Sequence, residues 1–452
     1  MSETRTRATI DEDLAAFVAA LGYDDLPEAA VRAAERVFVD TVGVTVAGAA
    51  EGAGEKAVAL TTALSDGGDA TLIGSDATAT VTDAAFANAT AGHGLDFDDV
   101  TWGVWHPSVP LVAPILALAE REGASGRAAI AAYVAGYETQ VHLAEALLPA
   151  HYERGWHATA TFGTFGAAAA AAVLLDLDRE QTRHALNVAA SMPAGLKRNF
   201  GTMTKPMHAG QAARSGVTAG LLAADGFTAA ANAVGGERGF CDLYAGDAEP
   251  DLDDLPELGE RWALLADGIQ VKKYPCCYFT HPAVAGTRAL VDEHGIAPGD
   301  VERVTVTASQ GAADALHYPD PDTGLEGKFS MEYVVASAVA RDRVGLAAFD
   351  DENVGDPAVQ RVRERVDFQV DPDLEYNPYR TTVRIETADG AVERIQEKPP
   401  GTPEDPLSAA ELESKFRMCV DRATWPVDAD AAHRALDGLR DQDAAASALQ
   451  DL

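Results

Sequence analysis

The most constraining feature of this sequence is a long series of alanine-rich segments with the periodicity of helices. From about residue 10 to residue 265, apolar residues recur at spacings of three and four, and Gly, Pro and Asp interrupt the pattern. Several segments carry alanine on every face, which is typical of helices packed closely inside a large bundle. The pattern predicts helices over residues 26–47, 109–121, 126–148, 162–175, 179–191 and 210–224.

The pattern of apolar and polar residues changes after about residue 270. Residues 301–308 (VERVTVTA) and 381–395 (TTVRIETADGAVERI) alternate apolar with polar residues, as half-buried strands do. The second stretch contains Asp389-Gly390, a strong short-range signal for a hairpin turn. A smaller unit that contains a sheet is therefore predicted to follow the helical one.

The last part of the chain returns to a helical pattern. A proline-rich stretch from Pro399 precedes Ser408, and Glu411 stands three residues later, which is the spacing of a helix capping box. With 452 residues, 47% of them hydrophobic, the chain can bury a large core in two domains. We predict a mostly α protein with an all-helical, discontinuous domain, residues 1–268 and 404–452, and a smaller α+β domain, residues 269–403.

The chain carries a formal charge of −36, from 71 acidic and 35 basic residues. Such a charge argues against nucleic acid or an anionic membrane surface as a partner. We interpret it as the acidic surface of a halophilic protein from a high-salt cytoplasm, because only 8 lysines stand beside 27 arginines. Each remaining lysine is then a candidate anion ligand or proton carrier. Five of them fall between residues 197 and 328: Lys197, Lys205, Lys272, Lys273 and Lys328.

The cysteines and the N-terminal segment indicate a reduced compartment. Four cysteines lack the C-x-x-C and zinc-ligand spacings, and adjacent Cys276 and Cys277 are poorly placed to bridge each other. The N-terminal segment contains no apolar signal core, and no uncharged apolar run is long enough to span a bilayer. We expect a cytoplasmic protein.

Four segments contain the candidate site residues. The first, residues 93–108 (HGLDFDDVTWGVWHPS), places three carboxylates in four residues ahead of His106. One interpretation is a solvated acidic turn, and another is a carboxylate that orients an imidazole for acid/base chemistry. A third is the aspartate-rich magnesium motif of all-helical isoprenoid synthases, but that motif needs a further aspartate that is missing here.

The second and third segments each place a basic residue near a predicted helix start. In RGWHATATFGTFGAAAAAA, His157 precedes a helix of small residues, although a cap or packing residue fits the pattern as well. In KRNFGTMTKPMHAGQAARSG, Lys205 and His208 lie just before a helix predicted to start at Gly210. Helix N-terminal amides favour an anion, which would offset the cost of a cation placed there. This arrangement predicts an anion-binding role.

The fourth segment, VKKYPCCYFTHPAV, lies where the helical texture gives way to the mixed one. Adjacent lysines on an extended segment point to opposite faces, so Lys272 and Lys273 cannot both make the same contact. One of them is expected to face a cleft between the domains, where ligand sites concentrate.

Seven motifs, in order, resemble those of the MmgE/PrpD family and cover nearly the whole chain. They are HGLDFDD with HPS, WHATATFGTFGAA, KPMHAGQAA, GFTAAANAVGGERGF, KKYPCCYFTHPAV, GKFSMEYVVA and PGTPEDPLS. The family includes 2-methylcitrate dehydratases, cis-aconitate decarboxylases and an iminodisuccinate epimerase. The resemblance implies a large helical domain, a smaller α+β lid and a homodimer.

The resemblance also implies an active site. The catalytic residues of the decarboxylases correspond, motif by motif, to Asp96, His106, His157, Lys205 and His281. We expect the substrate to be bound by Lys272, Lys273, His208 and Thr101. Lys205, Lys272 and His106 are assigned to substrate carboxylates, His157 and His281 to proton transfer, and Asp96 to orienting a histidine. A threonine that follows the acidic cluster in the decarboxylases aligns with Val100, and Thr101 is next to it.

These residues suit a reaction that passes through a carbanion beside a carboxylate, because cations stabilise the developing charge and histidines move protons. We expect no metal and no other cofactor, since the cysteines lack the spacing of an aconitase-type iron–sulfur cluster. Dehydration of 2-methylcitrate, a step of propionate metabolism, ranks first on family frequency. Decarboxylation of cis-aconitate to itaconate and epimerisation of a related dicarboxylate are alternatives. A non-catalytic metabolite-binding dimer is the alternative of another class.

Overall fold

The computed structural model describes residues 10–64, 66–101, 104–250, 252, 258–450 and 452. Trp102 and Gly103 of the acidic segment lie outside the described residues, as do residues 1–9 of the N-terminal segment. Contacts between Cα atoms divide the chain into two compact units. The first comprises residues 1–199, 203–269 and 408–452, and the second comprises residues 200–202 and 270–407.

The described residues form a mostly α protein, as predicted. The helices are α1 Ile10–Ala20, α2 Glu28–Ala49, α3 Gly52–Leu64, α4 Val81–Gly94, α5 Val109–Glu122, α6 Gly126–Glu145, α7 Ala150–Glu153, α8 Ala158–Leu174, α9 Arg179–Ala189, α10 Thr204–Ala224, α11 Phe240–Ala245, α12 Ala263–Ala266, α13 His281–His294, α14 Gln310–Ala315, α15 Gly324–Gly327, α16 Met331–Ala340, α17 Asp351–Val354, α18 Pro357–Arg363, α19 Ala409–Val420 and α20 Ala429–Asp437. The strands are β1 Ala70–Thr71, β2 Thr78–Ala79, β3 Val301–Ala308, β4 Val366–Val370, β5 Thr381–Thr387 and β6 Gly390–Gln396.

The predicted capping box at the start of α19 is confirmed. The Ser408 hydroxyl accepts a hydrogen bond from the Glu411 amide at 3.3 Å, and the Glu411 carboxylate accepts one from the Ser408 amide at 2.9 Å. The helix belongs to the first unit and packs against α2 in it. A local sequence signal thus defines where the chain re-enters the helical unit.

The predicted helix start at Gly210 is wrong, because α10 begins six residues earlier, at Thr204. Lys205 therefore lies in the first turn of α10 and His208 in the second. Gly210 is inside the helix because α10 passes close to α4 there. A Cβ atom at Gly210 would lie 2.1 Å from the Thr90 hydroxyl and 2.5 Å from the Phe86 carbonyl. Glycine is needed here because α10 and α4 approach each other closely, and it does not end or begin a helix.

Small residues allow the helices of the first unit to approach one another closely. All residues from 158 to 172 of α8 are buried, and α8 packs against α6 and α10. A Cβ atom at Gly216 of α10 would lie 2.3 Å from the Ala167 Cβ atom of α8. In α2, a Cβ atom at Gly48 would lie 1.9 Å from the Ala91 carbonyl oxygen of α4. At such crossings the helix backbones themselves are in contact.

The second unit contains a four-stranded mixed sheet with strand order β4-β3-β5-β6. Strand β3 covers the predicted residues 301–308, and it runs parallel to β4 and antiparallel to β5. Strands β5 and β6 form the predicted hairpin, with Ala388 and Asp389 in the turn and Gly390 paired with Thr387. Helices α13 and α16 pack on this sheet. Within the described part of the chain, no helix combines the length and the apolar character needed to cross a membrane.

We predict that Gly48→Ala destabilises the protein. Alanine in a helix interior ordinarily stabilises by up to about 1 kcal/mol relative to glycine, but overpacking a close contact costs about 1–3 kcal/mol or more. Urea unfolding followed by circular dichroism should give a lower free energy of unfolding for the variant. Gly299→Ala is the matched control, because no atom lies within 4 Å of a Cβ atom there. A Gly48→Ala variant that is as stable as the original protein would contradict the close contact.

Candidate active site

The segment after α4 carries three buried carboxylates. Asp96, Asp98 and Asp99 are 4%, 0% and 0% exposed, so the interpretation as a solvated acidic turn is wrong. Asp96 adopts a left-handed backbone conformation with φ 51°, which aspartate tolerates better than most residues. The turn directs three adjacent acidic residues to different partners, and the nature of each partner determines what each carboxyl group can do.

Asp98 lies between two imidazoles. Its carboxylate is 2.9 Å from Nδ1 of His93, in the last turn of α4, and 3.0 Å from Nδ1 of His106. Burial by itself would raise the pKa of Asp98, but the charges and hydrogen bonds of His106 and His93 lower that pKa well below its usual range. An ionised carboxylate only accepts hydrogen bonds, so His93 presents N–H at Nδ1 to Asp98. While it is neutral, His93 therefore carries its electron pair at Nε2.

We refer to His93, Asp96, Asp98, His106, His157, Lys205 and His208 as the cluster. Within it, Asp96 pairs with Lys205. Its carboxylate is 2.5 Å from Nζ of Lys205 and 3.6 Å from Nε2 of His106. Lys205 is 5% exposed and lies in the first turn of α10, where the helix dipole disfavours a positive charge. The Asp96 carboxylate offsets that cost. His106 thus reaches a different carboxylate with each ring nitrogen.

His157 and His208 form a second imidazole pair. His157 is the N-cap of α8, as predicted, and its Nδ1 atom is 3.1 Å from Nδ1 of His208. Burial, followed by the positive charge of Lys205, lowers the pKa of His157 well below its usual range. Burial, followed by the effects of His93 and Lys205, lowers the pKa of His208 to about 4. Both rings are therefore neutral at neutral pH, and one of them donates its Nδ1–H to the other.

The cluster of the first unit is less basic than the sequence analysis predicts. The pKa of His93 is also lowered, chiefly by burial. Asp98 is ionised, and the imidazoles of His93, His157 and His208 have lowered pKa values. Protonation of one of these imidazoles would add positive charge when a polycarboxylate binds here.

Asp99 pairs with a hydroxyl group at the start of α5. It accepts a short hydrogen bond from the Ser108 hydroxyl, which is 2.8 Å from the Tyr133 hydroxyl. Burial, with the nearby carboxylates Asp40 and Asp98, raises the pKa of Asp99 to about 8. Asp99 is therefore mainly protonated at neutral pH, and it ties the segment after α4 to the start of α5.

The cluster also contains His93, for which no role was predicted from the sequence, and its ring is 2.9 Å from the Asp98 carboxylate. The orienting role of Asp96, whose carboxylate lies 3.6 Å from Nε2 of His106, stays a prediction. His93 opens the HGLDFDD motif, and its position five residues before Asp98 is the signal that was present. A histidine in an alanine-rich helix is indistinguishable by pattern from a packing residue. The orientation of three neighbouring aspartates depends on backbone angles that residue types do not specify.

Thr101 makes a different set of contacts from the cluster. Its hydroxyl donates to the Gly268 carbonyl at 3.0 Å and accepts from the Tyr137 hydroxyl at 3.2 Å. Neighbouring Val100 is 2% exposed. Substrate binding by Thr101 stays a prediction, and these contacts do not favour it.

The candidate residues of the fourth segment belong to the second unit. Lys272 is buried and Lys273 is exposed, in agreement with the expectation that the two differ in their contacts. His281 begins α13, and its Nε2 atom is 3.2 Å from the Cys276 carbonyl oxygen. The functional roles assigned to Lys272, Lys273 and His281 stay predictions.

Four side chains of the cluster are close enough to share a metal ion. His93, Asp96, Asp98 and His106 each offer a ligand atom, and these atoms lie within 4.8 Å of one another. Two imidazoles do not suit magnesium, which prefers oxygen ligands. The Lys205 ammonium already provides a positive charge 2.5 Å from Asp96 and would repel a second cation. The donor set fits hydrogen bonding between histidine and carboxylate better than metal ligation.

Comparisons with known proteins agree along most of the chain. One family model, the MmgE/PrpD N-terminal domain, matches residues 12–253, and another, the MmgE/PrpD C-terminal domain, matches residues 274–439. The chain is 28% identical over 429 residues to cis-aconitate decarboxylase of Mus musculus, covering 90% of this chain and 86% of that protein. It is 27% identical over 423 residues to the Homo sapiens protein of that name, covering 90% and 87%. It is 25% identical over 466 residues to that of Aspergillus terreus, covering 94% and 91%.

We predict that Asp99→Asn becomes more stable, relative to the original protein, as pH rises from 5 to 8. The folded chain keeps the Asp99 proton up to about pH 8, whereas the unfolded chain loses it near the ordinary aspartate pKa of 3.8. Over this range the unfolded state binds fewer protons, so the contribution of Asp99 to stability falls by up to about 1.4 kcal/mol per pH unit. Asparagine does not titrate and removes this loss.

Urea unfolding at four pH values and constant salt tests this expectation. The difference in free energy of unfolding between Asp99→Asn and the original protein should grow up to about pH 8 and then level off. Asp389→Asn is the control, because Asp389 is an exposed turn residue. A difference that does not change with pH would refute a protonated Asp99.

Proposed function

Because this chain belongs to the MmgE/PrpD family, we propose that it is a lyase that decarboxylates cis-aconitate to itaconate. The observation that carries the proposal is the buried cluster in which Lys205, His106 and His157 accompany an ionised Asp98. If the candidates were ordered only by how common each activity is in the family, dehydration of 2-methylcitrate would come first. Similarity over most of the length of three relatives named cis-aconitate decarboxylase supports the opposite order.

The proposed reaction needs charge stabilisation and one proton. Loss of carbon dioxide breaks a carbon–carbon bond, and the remaining electron pair moves into a new double bond while the original double bond shifts. A proton then adds to the far alkene carbon, so cis-aconitate and one proton give itaconate and carbon dioxide. Negative charge develops on the carboxylate conjugated with that carbon, where Lys205 and His106 would stabilise it.

The His157–His208 pair can deliver the proton. When Nδ1 of His208 donates to Nδ1 of His157, the latter carries its own proton at Nε2. A proton that leaves Nε2 of His157 for the substrate carbon is replaced at Nδ1 by the proton of His208, while Nε2 of His208 takes up a proton from solvent, so that both rings stay neutral. The pair then acts as a two-ring relay whose members are neutral before substrate binds. In this proposal His208 takes part in proton transfer and not only in substrate binding.

Dehydration of 2-methylcitrate is the second candidate. It requires removal of a proton beside a carboxylate and protonation of the leaving hydroxide, which the same histidines and Lys205 can perform. Val100 favours this candidate, since it stands where the decarboxylases have threonine. Only the identity of the product separates the two candidates.

We predict that cis-aconitate yields itaconate and carbon dioxide, with NMR detection of the product and an assay for the gas. His157→Asn and Lys205→Met should each lower kcat by about 10²–10⁴-fold. His294→Asn, at an exposed histidine, is the control and should retain full activity. The assays contain EDTA, because the proposed chemistry uses no metal.

Two other outcomes would contradict parts of this proposal. Loss of water from 2-methylcitrate without turnover of cis-aconitate would replace the first candidate by the second. Tight binding of these acids without turnover of any of them would support the non-catalytic alternative and refute the lyase assignment.

We also predict that binding of a tricarboxylate takes up about one proton near pH 7. Burial lowers the pKa values of His157 and His208, so both rings are neutral in the free chain, and added carboxylates raise the pKa values of nearby imidazoles. The complex then binds more protons than the free chain, so affinity should increase as pH falls from 8 to 6.5. Calorimetric titration with the unreactive propane-1,2,3-tricarboxylate, in two buffers of different ionisation enthalpy, measures the uptake. Equal heats in both buffers would exclude it.

A further inference from the structure

Lys415 is a buried lysine that the proposed reaction leaves without a role. It lies on α19, is 4% exposed, and is one of 8 lysines in a chain that has 27 arginines. Its Nζ atom is 2.6 Å from an oxygen of Asp40 on α2. The same atom donates to the carbonyl oxygen of Phe97 at 2.8 Å and lies 4.1 Å from the centre of the Phe97 ring.

In the sequence, Phe97 lies between Asp96 and Asp98, the two carboxylates of the cluster. On one side is Asp96, which pairs with Lys205, and on the other is Asp98, which holds two imidazoles. The Phe97 side chain is fully buried. An ammonium group bound to this carbonyl restrains the backbone on which both carboxylates depend.

We propose that Lys415 is a positioning residue for the reaction: through the Phe97 carbonyl, its ammonium group keeps Asp96 and Asp98 in place. The reaction in question is the one proposed above, on which this inference rests. Lys415 does not belong to the cluster itself. It acts on the backbone of the segment that follows α4.

The geometry suits lysine and not arginine. The contacts of Nζ comprise one carboxylate oxygen, one carbonyl oxygen and the face of a ring, which match a compact ammonium with three donors. A guanidinium carries five N–H donors on a planar fork and is larger. This difference explains why a chain with 27 arginines and 8 lysines has a lysine at this position.

Apolar contacts dock α19 independently of Lys415. Leu412, Phe416 and Cys419 on the same helix are buried, and Phe416 lies so close to Gly43 of α2 that a Cβ atom there would be 2.9 Å from its ring. These apolar contacts would hold α19 on α2 without Lys415. In a Lys415→Met variant, we expect α19 to stay packed on α2, while the hydrogen bond to the Phe97 carbonyl is lost.

The first test compares Lys415→Met with Lys56→Met, which changes an exposed lysine on α3. With the polycarboxylate that the original protein turns over, Lys415→Met should lower kcat by about 10- to 100-fold and change KM by less than about threefold. Lys56→Met should stay within about twofold of the original protein in both constants. An unchanged kcat in Lys415→Met overturns the proposal.

The pH profile of kcat separates positioning from loss of folded protein. A displaced Asp98 loses part of its contact with His106 and His93, which lower its pKa, so the acid limb of the profile should move to higher pH. A smaller amount of folded protein would lower kcat at every pH and leave the limb where it was. That second result also counts against the proposal.

A double variant, Asp40→Asn with Lys415→Met, tests whether Lys415 merely neutralises Asp40. It removes both buried charges and leaves neither unpaired, so it should fold even if Lys415→Met does not. The proposal expects kcat to stay at least about tenfold below that of the original protein. Recovery to within about threefold would show that neutralising Asp40 is the whole role of Lys415.

Hydrogen–deuterium exchange over residues 94–101 tests the restraint without any substrate. Exchange of these amides should be faster in Lys415→Met and in the double variant than in Lys56→Met. If no polycarboxylate is turned over by the original protein, the proposed function fails, while faster exchange still supports the restraint. Equal exchange in all variants overturns the inference.

Discussion

Close contact between helix backbones is the constraint on which the site depends. Helices α4, α8 and α10 meet through glycine and alanine, and at these crossings main-chain atoms of one helix limit what the other can carry. Each of the three helices delivers part of the cluster: His93, His157, Lys205 and His208. Because few flexible side chains separate the helices, the positions of these groups follow from backbone geometry. An alanine-rich interior thus suits a site whose parts must keep fixed distances.

Buried carboxylates impose the second constraint, because an unpaired buried charge is costly. The first unit solves this problem in several ways. Asp98 is stabilised by two imidazoles, Asp96 by an ammonium group from α10, and Asp99 by keeping its proton. Asp40 pairs with Lys415. Burial lowers the pKa values of His93, His157 and His208, so the free cluster holds less positive charge than its residue types suggest.

Local signals could be predicted from the sequence, whereas contacts between distant segments could not. Strand β3 and the start of α19 follow from alternation and a capping box, which need only neighbouring residues. The start of α10 does not, because Gly210 resembles a helix break and only the nearby α4 makes glycine necessary there. In the site, three carboxylates within four residues give the same signal. Which of them faces the imidazoles depends on the left-handed backbone at Asp96.

The contact between Lys415 and the Phe97 carbonyl spans 318 positions of the chain and has a consequence for biosynthesis. Ribosomes add about 5–20 residues per second, so roughly 16–60 s separate the synthesis of the two partners. During that interval the histidines and Lys205 have already been synthesised, but the Phe97 carbonyl between Asp96 and Asp98 lacks its ammonium partner. This contact forms only after 415 of the 452 residues have been made. A ribosome-bound chain cut short before α19 would contain every group of the cluster and still lack it.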